Sequence, residues 1–132
     1  MPLNKLRILY VDDNDDDCFI ASILLRRTGY DTAIAGSARD ALWFARSEPF
    51  DLFILDQLLP DGTGHDLCRR IRMFNRLVPI VFYVEDASRA DREAALRMGA
   101  QGYVVKPHIN ALVEAVNGLL SEKRGGSSAA AA

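Results

Sequence analysis

Five short apolar runs, each followed by a longer stretch of helical periodicity, constrain this chain more than any other feature. The runs fall at residues 7–11 (RILYV), 31–35 (DTAIA), 52–55 (LFIL), 79–84 (PIVFYV) and 102–105 (GYVV). The first, third and fourth are nearly all apolar, the pattern of strands covered on both faces. The helical stretches lie near 15–27, 38–47, 64–75, 88–98 and 109–122. A βα unit repeated in this way implies a parallel sheet with right-handed crossovers. The expected fold is α/β, a doubly wound five-stranded parallel sheet between two layers of helices.

The helix boundaries carry their own chemistry. Asp15, Asp16 and Asp17 open the first helix at the positive end of its dipole, and Arg26 and Arg27 close it before Gly29. Phe19, Ile20, Ile23 and Leu24 are its expected buried stripe. Ser37 is the expected N-cap of the second helix, which ends before Pro49. Leu112, Val116, Leu119 and Leu120 supply the fifth helix with an apolar face. The fourth offers chiefly Ala87, Ala90, Ala94, Ala95 and Met98, so it is expected to pack less tightly. Residues 1–122 make one expected domain, with 123–132 a flexible tail or linker.

Bulk properties narrow the function. The net charge is −2 over 132 residues, which gives no general attraction to nucleic acid or an anionic membrane. No apolar run approaches the roughly 20 residues of a membrane helix, and the first residues lack the apolar stretch of a secretion signal. Cys18 and Cys68 stand far apart, as expected of buried thiols in a reducing compartment, so a cytoplasmic protein is expected. No Gly-rich phosphate loop or dinucleotide fingerprint is present. His65 and His108 have no ligand-spaced partners and are expected at solvated helix starts. Trp43 and Phe44 read as core or rim packing. Arg69, Arg70, Arg72 and Arg76 form a basic stretch on the third helix, expected to be mainly a solvated face.

The ends of the strands are where an open α/β sheet binds ligands. The first strand runs into Asp12 and Asp13, the third into Asp56 and the fifth into Lys106. One aspartate after a strand is ordinarily a cap or turn former. Three carboxylates and a lysine at the same ends of several strands are harder to explain that way. If the first and third strands are neighbours, the carboxylates converge and repel until a cation relieves them. A few carboxylate and carbonyl ligands plus waters suit Mg²⁺. A cation and a lysine beside a carboxylate describe a site able to accept a phosphoryl group.

The segments Ile8-Leu9-Tyr10-Val11-Asp12-Asp13-Asn14, Leu55-Asp56-Gln57-Leu58-Leu59-Pro60-Asp61-Gly62-Thr63-Gly64 and Val104-Val105-Lys106-Pro107, in this order and spacing, closely resemble the receiver domain of two-component response regulators. The resemblance spans roughly residues 5–122. It implies a flavodoxin-like (βα)5 sandwich with strand order 2-1-3-4-5. It also implies that Asp56 accepts a phosphoryl group from a histidine kinase or phosphotransfer protein. Asp13 and Asp56 would bind Mg²⁺ directly, Asp12 mainly through water, and the Leu58 carbonyl would complete the set. Lys106 would pair with Asp56 and then with the phosphoryl group, aimed by a cis bond to Pro107. Output would pass to a protein partner through the fourth helix, fifth strand and fifth helix, in a monomer or weak dimer.

Two positions depart from the family pattern. The fourth strand ends in Val84 and Glu85, where receivers usually carry a hydroxyl residue and then a small one. Valine matches threonine in shape but cannot donate to a phosphoryl oxygen, a bond to a charged acceptor that contributes about 1.5–3 kcal/mol. Glu85 adds a carboxylate to an anionic mouth, where it is expected to repel small phosphodonors, slow hydrolytic water or pair with Lys106. Tyr103 holds the aromatic position of the switch, and equally suits a half-buried packing residue. Two rival functions follow: a binding module of the same fold that works without phosphorylation, and an aspartyl-phosphate phosphatase of the haloacid dehalogenase type. The second needs an acid where this chain has Leu58.

Overall fold

The computed structural model describes residues 5–86 and 88–124. In chain order the elements are β1 (Arg7–Val11), α1 (Asp15–Arg27), β2 (Asp31–Ala35), α2 (Ala38–Ser47), β3 (Leu52–Leu55), β4 (Leu58–Leu59), β5 (Gly62–Thr63), α3 (Gly64–Phe74), β6 (Ile80–Val84), α4 (Arg89–Arg97), β7 (Gly102–Val105) and α5 (Ile109–Arg124). β6 and β7 are the fourth and fifth strands of the sequence pattern. The sheet runs β2-β1-β3-β6-β7 and every pairing in it is parallel, so the expected 2-1-3-4-5 order holds. β4 and β5 form a small antiparallel hairpin that the pattern did not reveal. Two residues per strand are too few for any period-two signal.

Alternation along the strands divides the core. Leu9, Val11, Phe53, Leu55, Ile80, Phe82 and Val84 face Leu67 and Ile71 of α3 and Ala95 of α4. Ile8, Tyr10, Leu52, Ile54, Val81 and Tyr83 face Ala21 and Leu25 of α1 and Leu112, Val116 and Leu120 of α5. Each fully buried aliphatic side chain contributes about 1.5–3 kcal/mol, so β1, β3 and β6 anchor the domain.

The helix caps follow the local sequence. Ser37 accepts from the Asp40 N–H, as expected, while Asn14, Thr63 and Ser88 cap α1, α3 and α4 in the same way. Gly29 supplies the positive φ of 107° that ends α1. In α4 only Ala95 is buried, in keeping with its alanine-rich face; Ala87 lies outside the described residues. α5 extends to Arg124, past the boundary expected at 122, and residues 125–132 of the expected tail lie outside the described residues.

The expected stripe of α1 is corrected. Phe19, Ile20 and Ile23 are 66%, 49% and 37% exposed, and Leu24 is half-buried. Cys18, Ala21, Ser22 and Leu25 face the sheet instead. They recur at the helical period too, and being mostly small they let α1 approach a layer already filled by Tyr10 and Tyr30. In the basic stretch Arg69, Arg70 and Arg76 are exposed as expected, and only Arg72 departs from the solvated reading. Arg72 donates to the carbonyls of Asn75 and Gly99, tying α3 to the turn after α4, and Arg76 lies beyond the end of α3. Both cysteines are buried free thiols, and no described helix is long and apolar enough to cross a membrane.

Candidate functional site

Asp12, Asp56 and Lys106 each follow their strand by one residue, yet each still donates its backbone N–H to a neighbouring strand. The acceptors are the carbonyls of Ala35, Val11 and Val84, at 3.0, 2.9 and 2.7 Å. The sheet ladder therefore holds all three at its carboxyl edge. With β1 beside β3, oxygens of Asp12, Asp13 and Asp56 lie within 4.8 Å of one another. Asp13 and Asp56 line a cleft of about 720 Å³ that also takes in Asp17, Leu58, Glu85 and Lys106, with Asp12 buried behind them.

Asp12 is 1% exposed and densely bonded. Its Oδ1 accepts the Asn14 N–H at 2.9 Å, and its Oδ2 accepts the Tyr10 hydroxyl at 3.1 Å and the Lys106 ammonium at 2.7 Å. Lys106 Nζ also donates to Asp17 Oδ2 at 2.8 Å and Asp56 Oδ2 at 3.2 Å. An ammonium has three N–H groups, so three carboxylates use all of them. Burial works against the lysine charge, but the bonds to Asp12 and Asp17 outweigh it and hold the ammonium above the ordinary lysine range. Burial and then the charge of Asp12 push Asp56 up to about 6, against the pull of Lys106. The Asp56 carboxylate is thus under-compensated by its own protein, a donor set with room for a hard cation.

The Lys106–Pro107 bond is cis, as expected. Leu58 exposes 73% of its surface on β4, at the rim of the cleft. Gly64 is where the loop admits nothing larger: a Cβ there would stand 2.1 Å from the Asp56 carbonyl oxygen. That closeness, with the Gly64 N–H on the Gln57 carbonyl at 2.8 Å, seats the start of α3 against the Asp56 loop.

Val84 is fully buried at the end of β6, level with Val105 and beside Lys106, while Tyr83 points to the opposite side of the sheet. Glu85 is exposed at the cleft and is not among the partners of Lys106, which correct the expected pairing. The lysine is already saturated by carboxylates nearer its base. Tyr103 is half-buried, stacked on Phe82 with ring centres 6.1 Å apart, and its hydroxyl donates to the Asp86 carbonyl at 3.3 Å. His65 is half-buried against Phe82, with its Nε2 buried and unbonded among the described residues, so the solvated reading fails for it; His108 is exposed. Trp43 is 61% exposed and sits edge-on to Phe44, a rim position.

Tyr10 and Asp17 belong to the site and were missed. Tyr10 read as one more apolar strand residue, although a buried tyrosine needs a partner and Asp12 lies two residues on, on the same face. Asp17 read as a dipole carboxylate like Asp15 and Asp16, with which it shares the first turn of α1.

A family profile described as response regulator receiver domain matches residues 8–117. This chain is a response regulator receiver domain. It is 33% identical over 118 residues to the alkaline phosphatase synthesis transcriptional regulatory protein PhoP of Bacillus subtilis, covering 86% of this chain and 49% of that protein. It is 38% identical over 107 residues to the DNA-binding response regulator MtrA of Mycolicibacterium smegmatis, covering 81% and 46%. The chain thus spans about half the length of the curated relatives it matches. Among solved structures, a CheY-like receiver domain protein from Methanospirillum hungatei superposes with a TM-score of 0.86 at 27% identity, covering 93% of this chain and 99% of that one. A response regulator from Chloroflexus aurantiacus gives 0.84 at 30% identity, covering 89% and 99%. As a receiver it is a two-component signalling module rather than an enzyme of the ordinary kind.

Proposed function

We propose that this receiver accepts a phosphoryl group on Asp56 from a histidine kinase or phosphotransfer protein, in a reaction that needs Mg²⁺. The observation that carries this is the convergence of three carboxylate oxygens within 4.8 Å, beside an ammonium that is already fully bonded. A carboxylate oxygen of Asp56 forms a bond to phosphorus as the bond to the imidazole nitrogen of the donor breaks, and that nitrogen keeps the electron pair. Asp13, Asp56 and the Leu58 carbonyl would hold Mg²⁺, with Asp12 acting through water because its Oδ2 is filled by Tyr10 and Lys106. Bound there, Mg²⁺ would neutralise phosphoryl charge. Lys106 supplies positive charge beside the accepting oxygen, and Pro107 sets the turn that aims it. Phe19, Ile20 and Ile23 form an exposed apolar strip on α1, the helix whose first turn lines the cleft through Asp17, and would offer an apolar face to a donor helix.

Output would pass through α4, β7 and α5 to a protein partner. The DNA binding in the name of the MtrA relative belongs to a protein about twice this length. A second reading rests on Val84, which is fully buried where a donor to the phosphoryl group is needed. On that reading the domain binds its partner without phosphorylation, and Tyr103 packs rather than switches.

Acetyl phosphate with Mg²⁺ tests the first reading through intact-protein mass: a single phosphoryl addition is expected, absent in Asp56→Asn. No addition to the folded wild type would favour the second reading.

A further inference from the structure

Lys106 stands between three carboxylates that differ in what they lose if it leaves. Asp12 is 1% exposed, and its side chain would become a buried, under-compensated anion. Asp56 is the acceptor, and its bond to Lys106 is the longest of the three at 3.2 Å. Asp17 holds the lysine at 2.8 Å but exposes 30% of its side chain on the first turn of α1, so water can replace the ammonium there.

From this geometry we infer that Asp17 is a positioning residue that competes with Asp56 for Lys106 and gives the lysine up when Asp56 is loaded. The inference rests on the phospho-acceptor reading of Asp56. A phosphoryl group on Asp56 brings new acceptor oxygens to the side of the site that Lys106 already touches, yet the lysine has no N–H to spare. The N–H now on Asp56 can pass to one of those oxygens, but a second bond to them requires that another carboxylate be released, and Asp17 is the one that can return to water. The residue thereby restrains loading, and it links the state of Asp56 to the first turn of α1. Val84 adds interest to that link, since β6 ends without a hydroxyl to sense the phosphoryl group.

Asp16 provides the control, because it lies in the same turn, is exposed, and has no contact with Lys106. The rate of Asp56 labelling by acetyl phosphate would be compared in wild type, Asp17→Asn, Asp17→Glu and Asp16→Asn at saturating Mg²⁺. Asp17→Asn is expected to label about three- to tenfold faster than wild type, the range of one charge-assisted bond discounted for exposure. Asp16→Asn and Asp17→Glu should stay within about twofold of wild type, the first as a pure charge change and the second as rescue. In the wild type, addition of Mg²⁺ and beryllofluoride should shift the Asp17 carboxyl ¹³C and the Lys106 ¹⁵Nζ resonances together. Equal acceleration by Asp17→Asn and Asp16→Asn would reduce the effect to general charge and overturn the inference, as would an Asp17 carboxyl resonance unmoved by loading. A folded wild type that takes up neither label nor beryllofluoride would overturn the acceptor reading, and this inference with it.

Discussion

At the residue scale, the chemistry turns on how badly Asp56 is compensated. Its folded-state pKa near 6 lies above the ordinary 3.8, so the folded chain holds this proton where the unfolded chain has lost it. The contribution to stability is therefore greatest below about pH 4 and declines as the pH rises through about 6. Without Mg²⁺ at neutral pH, Asp56→Asn should stabilise the domain by about 1–2 kcal/mol after allowance for solvent screening, roughly 3–8 °C in melting temperature. Calorimetry of both proteins at pH 4 and pH 7 checks this; the gain should shrink at the lower pH. Val84 and Glu85 call for the opposite kind of change. Restoring a hydroxyl with Val84→Thr should enlarge the amide shifts that beryllofluoride produces in β7 and α4, and unchanged shifts would mean that the hydroxyl is not what limits readout. Glu85→Ala should raise the rate of labelling by acetyl phosphate several-fold, because a carboxylate leaves the cleft mouth. An equal rate at matched Mg²⁺ would remove Glu85 from the account. Asp12, Asp13, Asp56 and Lys106 were all legible in the sequence, since each follows a strand run directly. Asp17 was not, because its contact with Lys106 spans 89 residues and nothing local announces it.

At the scale of elements, the strands were readable where both faces are buried, and the helix ends were readable from their caps. The face of α1 was not. Two stripes of similar period exist on that helix, and the larger hydrophobes occupy the exposed one. Choosing by hydrophobicity alone therefore rotated the helix, whereas the space beside Tyr10 and Tyr30 favours the small residues Cys18, Ala21 and Ser22. The start of α3 is the least forgiving junction. Gly64→Ala would press a Cβ into the Asp56 carbonyl, where backbone cannot yield cheaply, and should cost about 2 kcal/mol or more in denaturant unfolding. A loss under about 0.5 kcal/mol would show that the loop relaxes freely. With Ala95 its one buried residue, α4 should exchange its amide hydrogens faster than α1, α3 and α5. That makes α4 an element a small bias at the site is able to move, if the bias reaches it.

At the scale of the whole molecule, the strand order is what makes the chemistry possible. β1 and β3 lie side by side at the centre of the sheet, with β2 on one flank and β6 and β7 on the other, so acids separated by more than 40 residues meet at one edge and Lys106 reaches them across β6. Two questions separate at this level. On the proposed function, loading would depend on Asp12, Asp13, Asp56 and Lys106, which the fold brings together; readout would depend on Tyr103 and on Val84, which lacks the hydroxyl of the family pattern. The most direct test is a titration of the folded chain with beryllofluoride in the presence and absence of Mg²⁺, followed by the amide resonances of Asp56 and Gln57. Saturable binding that requires Mg²⁺ and disappears in Asp56→Asn is the predicted result. Unmoved resonances in the folded wild type, or binding that survives Asp56→Asn, would contradict it.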